Sequence, residues 1–182
     1  MRTLGSIRRN PLLHLVDGWA YWQSKCRDGR MPGRVDIRPE ELTQTLPHVM
    51  LIDVKRNPWD FRYRLIGTRI AEKMFRDRTG EWFSATRQTD ASSRAFRRVQ
   101  HVAETAKPIS GVLTYFGPSD DFEELCDLVC PLGSDGRTVD MIFAVSVFVP
   151  KIAEYDRQIL VDLPADWPDP EPPPDTEPES GS

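Results

Sequence analysis

Asp60-Phe61-Arg62-Tyr63-Arg64-Leu65-Ile66, followed by Gly67-Thr68, decides the fold of this chain. Phe61, Tyr63 and Leu65 alternate with Arg62 and Arg64, the two-residue period of a strand with one buried and one wet face. Asn57-Pro58 just upstream is turn chemistry, and residues 48–54 before it form an apolar run of strand length. The two segments read as an antiparallel hairpin. Gly67 is expected to take backbone angles closed to other residues, turning the strand into a short helix over residues 69–75. Gly80 is expected to do the same for the loop after Asp77.

Downstream, residues 88–106 carry Ala95, Phe96, Val99, Val102, Ala103 and Ala106 at helical spacing, and Pro108 stops the helix. Three strands are expected over residues 110–116, 122–132 and 138–149, the last two joined by the tight turn Ser134-Asp135-Gly136-Arg137. Upstream, Asn10-Pro11 starts a helix over residues 11–27, with Leu12, Leu15, Val16, Trp19 and Trp22 as its stripe. An extended connector and a short helix near residues 39–45 lead to the first strand. Two strands, a helical block, then three strands make an α+β fold: a five-stranded antiparallel sheet with helices on one face, preceded by an N-terminal amphipathic helix. The expected boundaries are residues 1–28 for that helix, 29–150 for the domain, 151–163 for a C-terminal extension and 164–182 for a tail.

Residues 164–182 hold seven Pro and six acids with no Lys or Arg, a composition that cannot bury enough apolar surface to offset ordering, so disorder is expected. The chain has 24 basic and 28 acidic residues; without the six tail acids the balance is 24 against 22, so global charge gives no support for nucleic-acid binding. No stretch reaches the ~20 apolar residues of a membrane span, and the N-terminus lacks an apolar core with a small-residue cleavage site. A cytoplasmic location without membrane contact is expected. Cys126 and Cys130 lie on one face of one strand, roughly 13 Å apart, too far for a disulfide. With Cys26 they read as free thiols of a reducing compartment.

Several stretches carry a family resemblance. Residues 27–42 (RDGRMPGRVDIRPEEL), Leu46-Pro47-His48-Val49-Met50-Leu51-Ile52-Asp53, the strand from Phe61 to Thr68, Asp77-Arg78-Thr79-Gly80, and Leu128-Val129-Cys130-Pro131-Leu132 with Asp140-Met141-Ile142 resemble a bacterial single-domain PAS-like family, formerly a domain of unknown function. The resemblance covers about residues 10–150. It departs at Phe75, where the family often has Gly before Arg-Asp, a change expected to reshape the loop or plug a cavity beneath it. It implies a PAS fold and a regulatory role, with no ligand or cofactor specified.

Catalytic machinery and metal sites are not expected. His14, His48 and His101 have no metal-ligand spacing between them or with the cysteines, and no nucleophile elbow or phosphate-cradling Gly loop occurs. The expected role is therefore sensing or regulation rather than catalysis. A cavity between sheet and helices would be lined by Phe61, Tyr63, Leu65, Met74, Phe75, Trp82, Phe96, Val99 and Tyr115, and would take a small-molecule ligand. Arg94, Arg97 and Arg98 read as a solvated basic patch. The stripe of the first helix must be covered by the domain or by a second copy. The expectation drawn from it is a homodimer through Leu12, Leu15, Trp19 and Trp22, signalling to an unknown partner protein. A ligand-free interaction module is the first alternative. The second is a nucleotide second-messenger binder, using Arg30 and Arg34 as a phosphate clamp with Asp90–Ala95 as a degenerate second half.

Overall fold

A computed structural model describes residues 11–74, 76–114, 123–150 and 166–168. One helix, α1 (Leu13–Lys25), precedes the hairpin β1 (Val49–Lys55) and β2 (Asp60–Ile66). Then come α2 (Thr68–Lys73), α3 (Arg94–Thr105), β3 (Ile109–Thr114), β4 (Glu123–Leu132) and β5 (Met141–Pro150). The strands form one antiparallel sheet in the order β2-β1-β5-β4-β3. The expected helix over residues 39–45 is a short 3₁₀ turn, Pro39–Glu41, and α3 begins at Arg94, where the Ser93 hydroxyl accepts the Phe96 N–H at 3.1 Å. The extension over residues 151–163 lies outside the described residues. Among those described, no helix is long and apolar enough to cross a membrane.

The sheet is covered on both faces, which refines the one-sided arrangement expected. Phe143, Val145, Val147 and Val149 of β5 and Cys126, Leu128, Cys130 and Leu132 of β4 pack with the α1 stripe. Ile142 and Ala144 of β5 and Val129 of β4 pack with α3 on the opposite face. The central strands β4 and β5 are therefore largely apolar on both faces, with Asp127 and Ser146 as buried polar exceptions.

This corrects the reading of α1 as a dimer surface. Leu12, Leu15, Trp19 and Trp22 are 5–8% exposed against the chain's own sheet. Trp19 and Trp22 stack at 5.5 Å, and the Trp22 indole donates to the Pro131 carbonyl at 2.9 Å. Cys126 and Cys130, neither of them in a disulfide, lie beneath the same helix.

A second correction concerns β2. Leu51 pairs with Leu65 but Ile52 pairs with Tyr63, so the register shifts and Arg64 is the extra residue of a β-bulge. The bulge breaks the two-residue period. Phe61 and Tyr63 face α3, while Leu65 joins the α1 side and Ile66 returns to the α3 side.

Gly67 is needed for a different reason from the one expected. Its φ of −63° and ψ of 149° are open to any residue, but a Cβ there would collide with the Pro47 carbonyl. Gly80, at φ +90°, does occupy the left-handed region.

Part of the expected disordered tail is docked. Trp19 Nε1 donates to Asp166 Oδ1 at 3.5 Å, Gln23 donates to the same carboxylate, and Trp167 meets Trp19 edge-on at 6.3 Å. The Trp167 indole donates to Ser110 Oγ at 2.8 Å, and that hydroxyl donates to the Pro168 carbonyl at 3.0 Å. Asp166–Trp167–Pro168 thus clasp α1 to β3, an edge strand of the sheet.

His14 and His48 stack at 4.3 Å. Burial, and next the neighbouring His14, push the His48 imidazole below its usual value. The unfolded chain then binds this proton more readily than the folded one, so its contribution is complete above about pH 6.5 and is lost as pH falls below it. The melting temperature should drop between pH 7.5 and pH 5.5, and drop less in His48→Gln. Equal slopes for the two proteins would contradict this.

Candidate functional site

The face under α3 does not close completely. A cavity of about 560 Å³ remains between the sheet and the helical block. At ~30 Å³ per water this is room for about 19 waters, the scale of a small organic molecule rather than an ion. Met50 and Ile52 of β1, Val129 of β4 and Ala144 of β5 form an apolar floor. Ile70 and Met74, at and just after α2, with Phe83 and Val99, close the helical side.

Polar groups enter at defined points. Arg98 of α3 is only 1% exposed and forms an ion pair with Asp127 of β4. Gly111 of β3 lies opposite Asp127 in the ladder, and a Cβ there would stand 2.6 Å from Arg98 Nη1. The glycine therefore makes room for the guanidinium, and the edge strand, β4 and α3 are joined at one point. A buried charge pair of this kind is costly to desolvate, so its two members are stable only together.

Tyr63, 3% exposed, presents its side chain to the cavity. Its phenol is pushed well above its ordinary value, mainly by burial and further by the Glu81 charge, with Arg78 opposing. It is therefore a neutral O–H donor across the physiological range. Glu81 itself is ion-paired with Arg76. Arg78 reaches Thr86 Oγ1 at 3.3 Å through Nη1, while its Nε is buried without a hydrogen-bond partner.

Of the expected pocket residues, Tyr63, Met74 and Val99 line the cavity. Phe61 and Phe96 meet edge-to-face at 4.8 Å in the core beside it, and Leu65 is on the other face because of the bulge. Trp82 is turned away. Residues 80–82 run along the free edge of β2, where Tyr63 N–H donates to the Glu81 carbonyl at 3.0 Å. Alternation then sends Trp82 to Lys55 and Arg62, whose cationic groups lie 5.2 and 5.3 Å from its ring centroid, and sends Phe83 inward. Phe75 and Tyr115 lie outside the described residues.

Sequence reasoning missed Phe83 and the Arg98–Asp127 pair. Of the assumed basic patch, Arg94 and Arg97 are exposed but Arg98 is not. Neither arginine of the assumed phosphate clamp lines the cavity. Arg34 is engaged with the Ile37 carbonyl at 2.9 Å, and Asp90 closes a turn on Ser92.

A family model described as a PAS domain matches residues 14–143, from α1 into β5. No curated protein matches the chain. The match spans more than half of the sequence and takes in α1, β1 to β4, the helical block and the start of β5. The chain belongs to the PAS domain family.

Proposed function

We propose that this PAS domain is a sensory or regulatory module that binds a small organic ligand in the cavity under α3 and acts without catalytic turnover. The observation that carries this reading is the 560 Å³ space between the sheet and the helical block, partly open to solvent, with donors and charges set into an apolar wall. An occupant touches α2, α3 and the connector between them at once. Its binding energy therefore favours one packing of that block over another. The change then leaves the domain through non-covalent contacts with a partner protein.

Melting the purified full-length protein against a panel of small organic metabolites tests the reading. A true ligand at about a hundredfold excess over its dissociation constant should raise the melting temperature by about 5–10 °C. Ala144→Leu, which fills the cavity floor, should remove that shift. A panel in which nothing moves the parent protein, or in which the filled variant shifts equally, overturns the reading.

A further inference from the structure

We propose that the cavity takes an amphipathic organic acid, its carboxylate held by Tyr63 and Arg78 and its hydrocarbon body laid over Met50, Ile52 and Ile70. This rests on the reading of the cavity as a ligand site and adds the chemical class of the ligand.

Two donors carry it. The Tyr63 side chain is nearly fully buried and lines the cavity, and its hydroxyl has no hydrogen-bond partner among the described residues. Arg78 lines the same cavity, close enough for its charge to act on Tyr63, and its Nε is buried without an acceptor. The Arg78 Nε is a buried donor without an acceptor, which is costly, and an acceptor supplied by a ligand removes that cost; the Tyr63 phenol lines the same cavity as a second donor. A carboxylate offers two oxygens, one for the phenol O–H and one for the guanidinium N–H.

Charge selects an acid over a neutral acceptor. Arg78 and Arg87 bring guanidinium groups to the cavity wall, while the Arg98 charge there is paired with Asp127. The wall thus offers cationic donors while the floor is apolar. A purely hydrophilic anion would leave that floor against water, and a neutral apolar molecule would leave the two donors unmet.

The test is calorimetric titration of the delipidated full-length protein with decanoate and with decanol, which share a hydrocarbon body and differ in the head. 2-Naphthoate and 2-naphthalenemethanol form a second pair. The expected result is that the acid of at least one pair binds about tenfold or more tightly than its alcohol. Tyr63→Phe and Arg78→Gln should each weaken the acid by about tenfold or more and leave the alcohol unchanged. Acids and alcohols binding alike, or acid binding indifferent to both substitutions, overturns the proposal while leaving the cavity reading intact. Binding by none of the four probes overturns the acid proposal. If the metabolite panel is also silent, the cavity reading falls with it.

Discussion

Asp127→Ala is expected to destabilise the protein by about 3–5 kcal/mol, read from urea unfolding. Asp127 is the ion-pair partner of Arg98, and Arg98 is 1% exposed, so removing the carboxylate takes the opposite charge from a guanidinium held in the core. The size of the loss reflects the desolvated cation more than the worth of the pair. The double variant Arg98→Met/Asp127→Leu should therefore recover most of the stability. A single variant as stable as the parent would show that Arg98 reaches water, and would remove the pair from the cavity wall.

Trp22→Ala is the second large effect, also about 3–5 kcal/mol. The ring stacks on Trp19 and packs on the outer face of the sheet, and its N–H is the donor to the Pro131 carbonyl. The loss should appear in unfolding while light scattering gives variant and parent the same mass, because α1 is covered by its own sheet. A variant of unchanged stability and lower mass would mean that the stripe works between copies.

Most of the fold was legible because its signals are local. The Asn57-Pro58 turn, the alternation at residues 60–63, the stripe of α3 and the apolar runs of β4 and β5 each follow from backbone geometry and burial alone. The misreadings arise where tertiary context overrides a local period. The bulge at Arg64 is invisible in DFRYRLI, since only the pairing with Leu51 and Ile52 reveals the extra residue. Trp82 and Phe83 are adjacent aromatics, and which one turns inward depends on how residues 80–82 lie along β2.

The cavity's polar groups were partly readable. Asp127 interrupts an inward set, Leu125, Asp127 and Val129, and an acid there demands a buried cation. Arg98 lies only about 40° around α3 from Val102 at 100° per residue, at the margin of the buried arc. The partner was therefore on the page, but helix periodicity alone assigns a marginal arginine to solvent. The clasp by Asp166–Pro168 was hidden by the Pro-rich, acidic composition around it, since a single tryptophan provides the anchor.

Methyl NMR of Met and Ile residues tests most directly whether the α3 face, and not the α1 face, is the receiving side. Decanoate and decanol would be added in turn to the full-length protein. The methyls of Met50, Ile52, Ile70 and Met74 should shift with the occupant, while Ile37 and Met141, packed on the α1 side, stay in place. Shifts confined to Ile37 and Met141 would contradict the assignment of this cavity as the ligand site.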